Sequence, residues 1–371
     1  MFSKGERKSC KRITLCAIMV LLMCLSACAL AEELYEFYSE GYNYVLLEDG
    51  TAQITDCPSA YWLEIPEELE GHPVSSIAPS AIDYYTSKLN RVIIPDCVTR
   101  LEGNPVGNCP SLKTIEVSPD HPTLAIIDGV LFEKTTKKLV SYPGGLEDRT
   151  YEIPQGIVAI GDGAFNHTQI SSLIYPDSVT SIGSYAFDGC DNITKVTIPD
   201  SVTSVGSYAY KQCHRLTKAV IPATLASISE GMFYGCETLT DVTIEEGVTA
   251  IGSKAFQWCQ GLESLTLPSS VVTIGDESFA ECSGLTEINL SEGLTAIGTG
   301  AFYRCRSLTQ VTLPESLTSM GVGDFFGMLR AYGHRNSSGD DADLYQHLQR
   351  LRKTGECDVA GGDNQYCLGC L

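Results

Sequence analysis

The sequence predicts an α/β solenoid: coils stacked in one direction, with a parallel β ladder on one face and short helical or 3-10 turns on the other. Three observations point there. Cys190, Cys213, Cys236, Cys259, Cys282 and Cys305 follow one another at a single unbroken interval. Gly183, Gly206, Gly252, Gly275, Gly298 and Gly321 keep the same beat, as do the aromatic residues Phe187, Tyr210, Phe233, Phe256, Phe279, Phe302 and Phe325. Within each unit a short alternating run ends at a proline, as Lys195-Val-Thr-Ile198 ends at Pro199. A fixed period of about 20 to 50 residues is the signature of stacked repeats, whose units bury their faces only against one another.

From the amino end, Lys4, Arg7, Lys8, Lys11 and Arg12 precede an apolar run from Ile13 to Leu25, which reads as a signal peptide over residues 1–31. Two processing points are written into it. Ala29-Leu30-Ala31 suits cleavage before Glu32, whereas Leu25-Ser26-Ala27-Cys28 resembles a bacterial lipobox, with Cys28 as the lipidation candidate. Membrane attachment is expected only through that lipid, and the location is extracellular or at the cell surface. Residues 32–64 read as an amino-terminal cap, with a hairpin turning at Asp49-Gly50.

In the repeats, Val196 and Ile198 alternate with Lys195 and Thr197 as in a strand, and Pro199 stops it for want of an N–H. Strands at 195–198, 218–221, 241–244, 264–267, 287–290 and 310–313 are expected to form one parallel ladder. The glycine after Val205 is expected to supply a positive φ, and Ser207-Tyr-Ala-Tyr-Lys-Gln-Cys213 to make one or two helical turns. At the far end the beat fails, since Met328 stands where the next cysteine would fall. Residues 329–371 read as a poorly ordered tail; Leu344, Leu348 and Leu351 fall on one face of a short helix there, and Cys357, Cys367 and Cys370 lack the pairing of a zinc ribbon.

The units "VTSIGSYAFDGCDNITKVTIP" (179–199) and "LTAIGTGAFYRCRSLTQVTLP" (294–314) resemble the BspA-like leucine-rich repeats of exported bacterial and protist proteins. "IPEELEGHPVSSIAPSAI" (65–82) is similar to that family's first repeat, and "DGVLFEKTTKKLVSYPGG" (128–145) to its hairpin-like interruption, so repeats are expected over 65–328 with an irregular unit at 118–150. The resemblance implies a leucine-rich-repeat solenoid and, by analogy, a surface protein that binds other macromolecules.

Residues at the same place on successive coils stack on their own copies, so the six regular cysteines are expected to be buried, small and apolar. Disulfides are the second reading; they need Cα atoms about 4.4 to 6.8 Å apart and converging Cβ vectors, which a parallel column does not offer. A metal column comes last, lacking close Cys-x-x-Cys pairs.

The net charge is −21, and loss of residues 1–27 (five bases, one acid) brings it to −25, which speaks against nucleic acid or anionic lipid as partners. Sixteen acids against four bases at 32–120 read as a solubilising surface. No hydrolase, zinc-protease, phosphate-loop or dinucleotide motif is present, and His214 beside Cys213 reads as a surface histidine next to a structural cysteine. No catalytic residue, cofactor or metal is expected. Asn166-His-Thr, Asn192-Ile-Thr and Asn336-Ser-Ser match the glycosylation pattern.

What remains is a surface. Strand alternation turns Thr197, Val220, Thr243, Thr266, Asn289 and Thr312 outward as a column, flanked by Lys195, Lys218, Asp241, Ser264, Glu287 and Gln310. Such a platform suits a protein or glycan ligand bound by a monomer, although threonine also fits any exposed strand. The expected function is an adhesin-like interaction scaffold without catalysis. Two alternatives stay open: an accessory repeat module of an enzyme whose catalytic region is missing or degraded at the carboxyl end, and a purely structural surface spacer.

Overall fold

The computed structural model describes residues 36–82, 88–309 and 311–323. The expected signal peptide with Cys28, and Gln310, Phe325 and residues 329–371, lie outside the described residues.

The chain winds into a solenoid with two parallel ladders, one more than the sequence pattern disclosed. On the front, Lys195–Thr197, Lys218–Ile221 and Asp241–Ile244 pair in a register that sets Lys195 opposite Lys218 and Lys218 opposite Asp241. Ser264–Thr266 pairs with Glu287–Asn289, Thr150–Glu152 with Ser172–Ile174, and Trp62–Glu64 with Arg91–Ile93, which pairs in turn with Thr114–Glu116. On the back, two-residue strands run Ser227–Ile228, Ala250–Ile251, Thr273–Ile274, Ala296–Ile297 and Ser319–Met320. A second back run joins Lys138–Ser141, Ala159–Ile160, Ser181–Ile182 and Ser204–Val205.

The single front ladder expected from the beat is therefore present as separate segments. No strand pairing joins Ser172–Ile174 to Lys195–Thr197, or Asp241–Ile244 to Ser264–Thr266. Thr312 is exposed but lies outside any described strand.

The expected helical or 3-10 turns are absent among the described residues, and the reason lies in where the amides point. Tyr185, Phe187 and Gly189 donate their N–H groups to Ser207, Ala209 and Lys211 of the next coil at 2.7 to 3.0 Å. Asp188 and Cys190 instead donate back three residues, to Tyr185 and Phe187. Every other donor is thus committed along the stack and cannot close a helical ladder. Two left-handed residues per coil enforce the pattern, such as Lys254 (φ 58°) with Trp258 (φ 66°), and Glu277 (φ 53°) with Glu281 (φ 61°).

The glycine column needs correction too, because its members have no positive φ. Their role is close approach. A Cβ on Gly183 would stand 2.5 Å from the Asp162 amide nitrogen, and one on Gly252 2.6 Å from the Ile228 carbonyl oxygen. No side chain fits there, since each of these glycines donates its N–H to the coil beneath, Gly275 to Ile251 at 2.8 Å.

The core runs up the axis. From Phe165 to Phe302 successive rings stack with centroids 4.9 to 5.7 Å apart, close to the spacing of parallel strands. Inward-facing Ile198, Ile221 and Leu267 pack around them. Towards the amino end a second apolar cluster holds Tyr44, Ile54, Leu63, Val92 and Ile115. Tyr42–Leu46 and Ala52–Asp56 form an antiparallel hairpin, extended by Glu36–Ser39, and Ala52–Asp56 pairs parallel with His72–Ile77 to close the back ladder. The irregular unit is a three-stranded meander of Leu124–Ile127, Val130–Glu133 and Lys138–Ser141, whose last strand enters the back ladder beside Ala159–Ile160.

Candidate binding face

Register sets the outward column of the front face. Thr197 lies opposite Val220, and Val220 opposite Thr243; Thr266 lies opposite Asn289. Thr197, Thr243, Thr266, Asn289 and Thr312 are exposed and Val220 is half-buried. The structure thus brings the six residues into two short rows and one outlying position. Within them Asn289 Nδ2 donates to Thr266 Oγ1 at 3.4 Å and to Glu287 Oε1 at 3.2 Å. Lys218 pairs with Asp241 in the flanking column, both side chains about half exposed, so the pair contributes at most about 1 kcal/mol. Further towards the amino end the face carries an exposed aromatic side chain beside an arginine. Trp62 is 53% exposed, with the Arg91 guanidinium 6.0 Å from its ring centroid, and Arg91 in turn pairs with Glu116.

The cysteine column lies inside. Cys190, Cys213, Cys236, Cys259 and Cys282 are fully buried, Cys305 nearly so, and none of the six is in a disulfide. They are not only small apolar fillers. Each thiol donates to the carbonyl of the aromatic residue one coil below: Cys213 to Phe187 at 3.2 Å, Cys236 to Tyr210 and Cys259 to Phe233 at 3.1 Å, Cys282 to Phe256 at 3.0 Å. The same carbonyls accept a turn N–H within their own coil, Cys236 N to Phe233 O at 3.1 Å for example. The thiol fills the second lone pair of a buried carbonyl, a need that periodicity alone does not reveal.

Cys109 was missed for a simple reason: the meander inserted between it and Cys190 breaks the beat. It stands five residues ahead of its front strand, as Cys190 does, and its thiol donates to Ile82 O at 3.1 Å. The legible signal is Asn108-Cys-Pro-Ser-Leu112, matching Gln212-Cys-His-Arg-Leu216. Thr168 takes the cysteine's place in one coil, with Oγ1 2.7 Å from Phe165 O and 3.6 Å from Cys190 Sγ.

Burial pushes the thiols of Cys190, Cys259 and Cys282 well above their usual range and that of Cys305 up to about 12. For Cys213 the largest cause is its hydrogen bond with Cys236, burial coming second. Such thiols are poor thiolate nucleophiles at neutral pH. His214 does not approach Cys213 Sγ; its ring contacts Asp191 Oδ1 at 2.9 Å on the surface. Among the described residues no cluster of three or more His, Cys, Asp or Glu side chains is placed to hold a metal ion.

Two ladders, a glycine seam and an axial aromatic stack define a leucine-rich-repeat solenoid. The chain belongs to the BspA type leucine rich repeat family, whose pattern (the region of 6 copies) matches residues 55–150, 145–262 and 249–329. It is similar in fold to a leucine-rich repeat protein from Eubacterium ventriosum, with 19% identity, a TM-score of 0.52, and 81% of this chain and 97% of that chain covered. A leucine rich cell surface protein from Faecalibacterium prausnitzii matches with 25% identity over 77% of this chain and 84% of that one, with a TM-score of 0.42. No curated protein matches the chain.

Proposed function

We propose that the protein is an exported, surface-located or secreted interaction scaffold that binds a protein or glycan through the front of the solenoid and carries out no catalysis of its own. The observation that supports this most is the register itself. It lines up exposed Thr197 and Thr243 across half-buried Val220, and Thr266 with Asn289, on backbones held in register by ladder hydrogen bonds, the Val220 strand from both sides and the others from one. A ligand meeting these rows orders few long side chains, which keeps the entropic cost of association low. The basic, then apolar amino end supports export, and membership of a repeat family rather than an enzyme family supports a binding role.

The test replaces Thr197, Thr243 and Thr266 together by Glu. Immobilised wild type is screened against glycan and extracellular-protein panels, and the affinity for each captured ligand is remeasured on the triple variant. A loss of about tenfold or more is expected, from charge placed where short neutral groups meet the ligand. Unchanged affinity would remove this face from the account.

A further inference from the structure

One place on the front face departs from the repeat in three ways at once. The inward position held by Ile153, Ile198, Ile221 and Leu267 is occupied in one coil by Tyr175. In the next coil Tyr210 stands in the axial stack where its neighbours above and below are Phe233 and Phe187, with ring centroids 5.7 and 4.9 Å away. Between these coils the front ladder parts. Among the described residues no backbone hydrogen bond joins 171–175 to 194–198, whereas one coil up Thr217 N donates to Thr194 O at 2.9 Å.

The parting leaves a cavity of about 210 Å3, walled by Leu173, Ile193 and Val196, with Tyr175 and Tyr210 inside and Lys195 beside Thr197 among its lining residues. Tyr210 is 1% exposed, and its hydroxyl has no hydrogen-bond partner among the described residues. The Tyr175 hydroxyl is its near neighbour, in a loose hydrogen-bond contact that shifts the titration of both phenols but falls outside strict hydrogen-bond geometry. A buried phenol held only by that loose contact carries a desolvation cost that phenylalanine at the same position in adjacent coils avoids. Burial holds both phenols protonated at neutral pH, Tyr175 pushed up to about 12, so both can donate. Lys195 forms no ion pair among the described residues, and no carboxylate lines the cavity. Donors and a cation without an acidic partner select an acceptor that carries negative charge. The volume lies below the range of about 300 to 1,000 Å3 typical of whole-ligand pockets, so one substituent enters rather than an entire molecule.

We propose that this cleft is a subsite for a single carboxylate group borne by a larger ligand, held by the hydroxyls of Tyr210 and Tyr175 and capped by the Lys195 ammonium. It adds an anchoring point to the front face at the edge of the threonine row, since Thr197 also lines the cleft, and differs from the rest of that row in requiring hydroxyls inside the coil.

Propionate serves as the probe and propionamide as its uncharged counterpart, each titrated into the full chain by ligand-observed NMR. Propionate is expected to bind with a Kd on the order of 1 to 10 mM and propionamide at least about tenfold more weakly. Tyr210→Phe restores the residue of the neighbouring coils, keeps the fold, and is expected to weaken propionate about tenfold; Lys195→Met does the same, and Tyr175→Ile weakens it by a smaller factor. Absence of propionate binding at 100-fold the lower of those Kd values, equal binding of propionamide, or a Tyr210→Phe variant that binds as wild type would each overturn the assignment. The threonine-row reading would survive any of these outcomes, because Thr243 and Thr266 lie outside the cleft and their replacement alone tests that reading.

Discussion

Gly275→Ala replaces one hydrogen by a methyl group, and the coil stack makes that change costly. The new Cβ would lie 2.5 Å from Ser253 N and 2.8 Å from the Gly252 carbonyl carbon, both main-chain atoms that no rotamer change can clear. Reaching ordinary contact near 3.4 Å needs a local opening of about 1 Å between coils. That opening stretches the Gly275 N–H bond to Ile251 O, now 2.8 Å, and strains the adjacent bonds from Lys254 N to Asp276 O at 2.8 Å and from Phe256 N to Ser278 O at 2.7 Å. Overpacking costs about 1 to 3 kcal/mol and each weakened bond about 0.5 to 1.5 kcal/mol, so a loss of about 3 kcal/mol or more is expected. The assay is urea unfolding followed by circular dichroism, with Gly275→Asn in parallel. Asparagine tolerates a left-handed φ better than alanine, so a conformational role would make Asn the milder change. Close approach makes Asn at least as damaging as Ala. A Gly275→Ala protein within about 1 kcal/mol of wild type, or an Asn variant clearly more stable than the Ala variant, would refute the steric reasoning.

Phe256→Ala removes a fully buried ring stacked 5.5 and 5.4 Å from its two neighbours, and a loss of about 3 to 5 kcal/mol is expected in the same assay. Stability should also fall in alkali. The folded thiols titrate above their usual value of 9.0, Cys305 at about 12, so the unfolded chain releases protons first as pH rises. The contribution of the column is whole below pH 9 and is lost progressively between pH 9 and 12, which unfolding midpoints across that range would record; a flat profile would contradict it. A thiol reagent at pH 8 should leave Cys190, Cys213, Cys236, Cys259, Cys282 and Cys305 untouched in the native protein and reach all six once it is unfolded, as counted by mass.

The fixed beat was enough to place the front strands between 195 and 290, the axial rings and the cysteine column, because a residue repeated at one position of every coil can only meet its own copies. What it hid was the destination of individual polar atoms. Ser207–Cys213 has the composition of a short helix, but nothing local in it announces that alternate amides reach the next coil. A glycine needed for contact and a glycine needed for φ look the same in sequence, and Gly275 is the first kind. The back ladder escaped notice because strands of two residues, such as Thr273–Ile274, show no alternation. Of the candidate face, the outward direction of Thr197, Thr243 and Thr266 was legible from alternation, but the partings of the ladder were not. Tyr210 reads as an ordinary member of the aromatic column, and nothing in the sequence singles out Tyr175 until the two are seen to line one cavity.

One deletion tests the stacking of like on like most directly. Removing residues 248–270 takes out one whole period and joins Gly247 to Val271, so every column closes over the gap. Cooperative urea unfolding should persist in that chain, with a midpoint only modestly lowered, whereas removing 248–259, roughly half a period, should abolish it by setting each column against a different one. If the whole-period deletion unfolds the protein, or the two deletions behave alike, the coils are not interchangeable copies in one stack and the account fails.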